Sequence, residues 1–151
     1  MATRRVKATA PPARPVRPDF EFCVEGPPVS AQSKNRDLLR EWKVRVAGAA
    51  RAAWPKKVAL MKGHVDVYIS EFSEYPTGDR DNMAKPIMDA MQKIVYENDG
   101  QVKRLYTEWC DIDGSYRVRF MSPVIAKALS TGKEFLWVRL SLHAPRKDLI
   151  R

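Results

Sequence analysis

The sequence predicts a single α/β domain, with one mixed sheet of four to five strands and helices packed on it. Three observations lead there. Phe20–Glu25 and Val65–Phe72 alternate apolar and polar side chains with the period of a half-buried strand, and Phe135–His143 reads as a last strand. Asp37–Ala53 and Met83–Val95 instead repeat their apolar residues at helical spacing. The order of strand, helix, strand, helix and further strands is that of a sheet covered by helices. At 151 residues the chain is long enough for one real core, placed over 19–145.

Taken in order, residues 1–18 hold five basic residues, four prolines and no acid, and are expected to form a disordered basic tail. They contain no apolar stretch of the kind a secretory signal needs. Phe20, Phe22 and Val24 share one face of the first strand, which Gly26-Pro27-Pro28 ends. Val29–Arg36 is a polar, basic connection with a serine available as a helix cap. The Asp37–Ala53 helix has Leu38, Trp42, Val46, Ala49 and Ala53 as its apolar stripe, with Leu39 and Ala50 beside it. Arg36, Arg40, Lys43 and Arg51 fall on the other side, and Pro55 closes the helix. Val58–Met61 and Val65–Phe72 read as a strand or hairpin arm broken at Gly63. Val65, Val67 and Ile69 alternate with Asp66, Tyr68 and Ser70, so one face of this strand is expected to be buried.

The Ser73–Gly78 loop delivers the chain to a second helix, started by Asp81 or Asn82. Met83, Ile87, Met91, Ile94 and Val95 form its apolar face, and Lys85, Asp89 and Gln92 lie opposite. Pro86 disfavours helical backbone at Lys85, so the helix should begin later or have an irregular first turn. Asn98-Asp99-Gly100 is a turn. Val102–Ile112 is a strand, turned by Asp113-Gly114-Ser115 into a short partner, Tyr116–Met121. Ser122-Pro123 opens a short helix through Leu129 that Thr131-Gly132 ends. Arg146–Arg151 is a basic C-terminal tail.

A formal charge of +9 points to an anionic partner. Residues 31–62 carry nine basic residues against two acids, a one-signed excess suited to tracking phosphates. No apolar run approaches the ~18 residues of a membrane span, so no membrane partner is expected. Cys23 and Cys110 match no zinc spacing and are expected to be reduced thiols in a reducing, cytoplasmic setting. His64 and His143 have no sequence partner at metal or triad spacing and are assigned structural or surface roles.

Asp79 and Asp81, two apart, leave the same face of an extended segment, and Asp99 follows on a turn beyond the helix. Carboxylates so grouped suit Mg²⁺, with Mn²⁺ as a substitute, because hard cations take oxygen ligands and share them with substrate phosphates. A neighbouring lysine would meet charge developing on phosphate oxygen. The bland alternative is that these are solvated loop acids and an ordinary Asp-Gly turn.

Asp79-x-Asp81-Asn82-x-x-Lys85-x-x-x-Asp89-Ala90-Met91, then Val95-Tyr96-x-x-Asp99-x-Gln101-Val102, resembles the signature of the RusA family of Holliday junction resolvases. The resemblance implies a RusA-like fold and a homodimeric, Mg²⁺-dependent endonuclease that resolves four-way DNA by paired nicks in recombination and repair. It implies catalytic roles for Asp79, Asp81, Asp99 and Lys85, with the three aspartates as metal ligands. It also implies a bacterial or phage protein working at cytoplasmic DNA. The family often has two adjacent acids at the turn, where this chain has Asn98-Asp99. The family's loop matching Val29–Arg36 lies near the active site and the DNA. Lys34, Asn35 and Arg36, with Arg40, Lys43 and Arg80, form the candidate DNA-contacting set. Two other functions fit the same residues: a metal nuclease on other branched or single-stranded DNA, and a non-catalytic basic nucleic-acid-binding module. Geometry poses a further question. A helix of about 13 residues is roughly 20 Å long, whereas Asp99 lies about four residues beyond its end, a reach of ~14 Å. Asp99 therefore meets Asp79 and Asp81 through a shorter or bent helix, through an almost straight return of the chain along it, or from a second subunit.

Overall fold

The computed structural model describes residues 19–115 and 121–144. The two basic tails and residues 116–120 of the expected strand Tyr116–Met121 lie outside the described residues. The elements are β1 (Phe20–Glu25), α1 (Arg36–Ala53), β2 (Val65–Ser73), α2 (Arg80–Met91), β3 (Val102–Asp111), α3 (Pro123–Ser130) and β4 (Phe135–Leu142). A turn of 3₁₀ helix at Asp99–Gln101 precedes β3.

The described strands form one mixed sheet in the order β1-β4-β2-β3. β4 runs antiparallel to both β1 and β2, and β3 is parallel to β2. A parallel pair needs a crossover, and α2 supplies it, making β2-α2-β3 a βαβ unit. This is the α/β class that the sequence predicts. The main core lies between the sheet and the α1–α2 pair. Trp42, Val46 and Ala50 meet Met83, Ala84, Ile87 and Met91 over Phe22, Val67, Ile69 and Val138. A smaller cluster of Phe72, Ile125 and Phe135 lies under α3, with Cys23, Cys110 and Trp137 against it.

Several expectations need correction. The stripe of α1 is Leu39, Trp42, Val46 and Ala50. Leu38 is 47% exposed, and Ala53 is exposed too. Asn35, not a serine, caps the helix, which starts one residue earlier than expected. The face turned to the core is centred on the Leu39–Trp42–Val46–Ala50 line, which leaves Leu38 at its edge. β2 buries both faces, not one: α1 and α2 cover the side of Val65, Val67 and Ile69, while on the other side Arg104, Glu108, Arg139 and His143 cover Asp66 and Ser70, and Ile125 of α3 packs on Phe72. Asp66, Ser70, Glu71 and Ser73 are all 2% exposed or less, and each has polar partners. Val58–Met61 is not a strand; Met61 makes a single bridge to Tyr96. α2 starts at Arg80 and stops at Met91, short of Val95. Lys93, at φ 64°, then turns the chain back, and Lys93 N–H donates to Tyr96 O at 2.7 Å.

Pro86 neither delays nor breaks α2; it lies inside a helix that runs through Lys85. Proline has no N–H for the carbonyl four residues back, that of Asn82. The Ala31 N–H takes that carbonyl instead, at 2.8 Å. The basic β1–α1 loop is thereby fastened to α2, one residue from Asp81.

Cys23 and Cys110 are free and partly buried. Burial raises the Cys23 thiol to about 12 and the Cys110 thiol to about 11, so neither is a nucleophile at neutral pH. His143 does have a spatial partner: its Nδ1 lies 2.8 Å from the buried Asp66 carboxylate. Among the described residues, no helix is long and apolar enough to cross a membrane.

Candidate active site

The site is built along α2. Asp79 occupies the N-cap position with extended backbone (φ −75°, ψ 138°), yet its side chain makes no capping hydrogen bond. An N-cap aspartate usually accepts from the helix's first free N–H groups, a bond worth about 1 kcal/mol. Leaving it unmade keeps the carboxylate available. Asp81 lies in the first turn. Both side chains are exposed, and neither has an ion-pair or hydrogen-bond partner among the described residues. The positive end of the helix dipole favours charge of this sign here. Arg80, between the two acids, goes the other way. Its Nη1 lies 2.7 Å from the Glu71 carboxylate, and its Nη2 donates to Thr77 O at 3.1 Å.

One turn after Asp81, Lys85 reaches along the helix. Its ammonium donates to Asp89 Oδ1 and to Asp99 Oδ2, each at 2.7 Å. Lys43, from α1, adds an ion pair to Asp89 at 3.5 Å, and the Gln92 amide donates to Asp89 at 3.3 Å. Hydrogen bonds to Asp89 and then Asp99 hold the Lys85 ammonium above its ordinary range. The same ammonium holds the Asp99 carboxyl below its own, against a smaller opposing effect of burial.

The turn that carries Asp99 is fixed by its neighbours. Asn98 Oδ1 accepts from Gly100 N–H at 2.9 Å. Gln101 Oε1 accepts from Glu97 N–H, while its amide donates to the Met61 and Gly63 carbonyls, each at 2.9 Å. Gln101 thus ties the turn to the segment ahead of β2.

The structure brings Lys85 and Asp99 together within one chain. It does not bring Asp99 to Asp79 and Asp81. Asp81 and Asp89 are eight residues apart, about 12 Å along the helix, and Asp99 stands at the Asp89 end. Among the described residues, no three carboxylate, imidazole or thiolate side chains converge closely enough to hold an ion between them. Mg²⁺ still fits the donors in kind. It is commonly bound through one or two carboxylates, its remaining positions filled by water and substrate phosphate, and Asp79 and Asp81 offer uncommitted oxygens.

The Endodeoxyribonuclease RusA family matches residues 25–120. That span runs from the end of β1 past β3 and includes every residue of the site. The chain belongs to the RusA family. Among curated proteins, none matches it.

Of the RusA residues assigned to DNA contact, Lys34 is exposed and has no partner among the described residues. Asn35 caps α1, accepting from Leu38 N–H at 3.1 Å. Arg36 donates to the carbonyls of Ala31 and Ser33 in its own loop. Arg40 pairs with Asp37 at 3.0 Å on the surface, Lys43 pairs with Asp89, and Arg80 is turned inward. Sequence reasoning missed Asp89 as the second partner of Lys85, though the i, i+4 spacing signals it. It also missed Glu71, whose partners come from a loop without periodicity.

Proposed function

We propose that this RusA-family chain is a Mg²⁺-dependent endonuclease that resolves four-way DNA junctions by paired symmetric nicks, acting as a homodimer. The observation that carries the proposal is the Lys85 ammonium held between Asp89 and Asp99, on the same helix that presents free Asp79 and Asp81. Asp79 and Asp81 would hold the metal, with Asp99 as a further ligand. A bound Mg²⁺ supplies an acidified water and charge stabilisation for phosphodiester hydrolysis. Lys85, about half exposed, offers its ammonium to a phosphate oxygen. Its carboxylate partners keep it protonated and limit its rotamers. A four-way junction has near two-fold symmetry, and two sites related by one axis match two symmetric nicks.

The test is incubation of an end-labelled four-way junction and a linear duplex with the protein, in Mg²⁺ and in EDTA. Nicking of the junction alone, in Mg²⁺ alone, is the expected result. Binding in both buffers with cutting in neither would leave a DNA-binding module without catalysis.

A further inference from the structure

Glu71 lies near the end of β2, on the face shared with Val65, Val67 and Ile69, and is 1% exposed. A carboxylate so buried must be compensated. Its partners come from the end of β2, from the loop that leads to Asp79, and from Arg80 just beyond it. Oε1 accepts from Thr77 N–H at 3.2 Å, and the Ser73 hydroxyl lies 3.1 Å away. Oε2 lies 2.7 Å from Arg80 Nη1. Arg80 closes the ring by donating to Thr77 O at 3.1 Å. Trp109 Nε1 donates to Ser73 Oγ at 3.1 Å, which joins the ring to β3. Gly78, at φ 56°, lets the chain turn between Thr77 and Asp79.

Arg80 is the residue between the two candidate metal ligands. Drawing its side chain inward leaves Asp79 and Asp81 facing solvent on either side. A loop that otherwise has few buried contacts is thereby held in one conformation at the point where two carboxylates must act together.

We propose that Glu71 is a positioning residue for the candidate metal site: through Arg80 and the Thr77 N–H it fixes the β2–α2 loop and sets Asp79 and Asp81 side by side. The role rests on the assignment of Asp79 and Asp81 as metal ligands. It requires that Glu71 affect metal binding and turnover rather than DNA affinity.

Glu71→Gln keeps an acceptor for Thr77 but removes the charge that holds Arg80. Three measurements test it on the full chain. The nicking rate at saturating junction is expected to fall about 100-fold, the cost of misplacing catalytic groups by roughly 1 Å. Addition of Mg²⁺ alone, followed through the amide NMR signals of Asp79 and Asp81, is expected to need a higher concentration for half-saturation. Junction affinity in EDTA is expected to stay within about twofold. Wild-type nicking and wild-type Mg²⁺ titration in folded Glu71→Gln would overturn the proposal. A loss of rate with an unchanged Mg²⁺ titration would also overturn it, since Glu71 would then act elsewhere than through the metal site. Should Glu71→Gln fail to fold, Arg80→Lys decides by the same readouts: it keeps the charge but loses the link to Thr77 O. Asp79→Asn separates the two levels. If Asp79→Asn still cuts DNA, the metal assignment itself fails; if it is inactive while Glu71→Gln is normal, only the positioning role fails.

Discussion

Single residues at this site trade local stability for availability. Asp79 is the clearest case, an N-cap aspartate that does not cap. Asparagine caps as well as aspartate, so Asp79→Asn should leave stability within about 1 kcal/mol of the parent. Cleavage should be lost, with junction binding retained or tightened because a negative charge near phosphate is gone. Melting curves, gel shifts and cleavage assays check this together, and a folded variant that no longer binds would count against the assignment. Asp99 and Lys85 make a second case. Lys85 holds Asp99 below 3.8, and Asp89 and Asp99 hold Lys85 above 10.5. A depressed carboxyl stabilises the fold above its unfolded value, and that contribution is lost as pH falls through the folded one. A raised ammonium stabilises below its unfolded value, and that is lost as pH rises through the folded one. The network is therefore at full strength between those two ordinary values and fades outside them. The contribution is modest, since Lys85 is about half exposed. Lys85→Met should return the Asp99 carboxyl toward 3.8 in a ¹³C NMR titration. An unmoved Asp99 would show that another group depresses it.

At the scale of elements, the periodic segments were legible and the exceptions were not. Phe20, Phe22 and Val24 alternate because β1 is covered on one side, and the structure buries those three. β2 misled because a central strand covered on both faces can still carry Asp66, Ser70 and Glu71, provided each finds a partner; those partners come from β3, from β4 and His143 just past it, and from the β2–α2 loop and Arg80, and no local pattern reveals them. The Asp79-x-Asp81 pair and the Asp99 turn were legible as a motif. Helix length also made the gap between them legible; how the chain returns was not, since that depends on where Lys93 turns it. Pro86 shows how a local rule is satisfied from a distance. Its missing N–H frees Asn82 O for Ala31, so Pro86→Ala tests the tie between loop and helix. Alanine favours the helix interior over proline by about 3 kcal/mol, set against some packing lost at a buried position. The new N–H competes for Asn82 O. Hydrogen exchange at the Ala31 amide should quicken even if global stability is unchanged or higher. Equal protection in both proteins would mean that the carbonyl serves two donors and the loop does not depend on Pro86.

For the molecule as a whole, the proposed junction binding turns on charge and on the proposed two-fold symmetry. A chain of net charge +9 should lose junction affinity as salt rises, with a log–log slope of about −0.9 for each phosphate neutralised. Lys34 is the candidate contact free of partners among the described residues, so Lys34→Ala should flatten that slope by close to one phosphate. An unchanged slope would place the strand elsewhere. The larger question for the proposed site is whether Asp99 joins Asp79 and Asp81, and by what route. Within one chain Asp79 and Asp81 stand at the start of α2, whereas Asp99 is held by Lys85 and lies beside Asp89, and among the described residues the three carboxylates do not converge. A two-fold axis that sets two copies of α2 antiparallel would bring Asp99 of one chain to Asp79 and Asp81 of the other. Subunit mixing tests this. Asp79→Asn and Asp99→Asn proteins, each inactive alone, are combined and allowed to exchange. If sites are shared, the mixed dimer has both lesions in one site and none in the other, so single nicks reappear while paired cuts do not. That recovery is the expected outcome. If each site is built within one chain, every site in the mixture carries a lesion. Continued inactivity with exchange confirmed by mass would then sink the shared site and require α2 to bend, or Lys85 to release Asp99, when DNA binds.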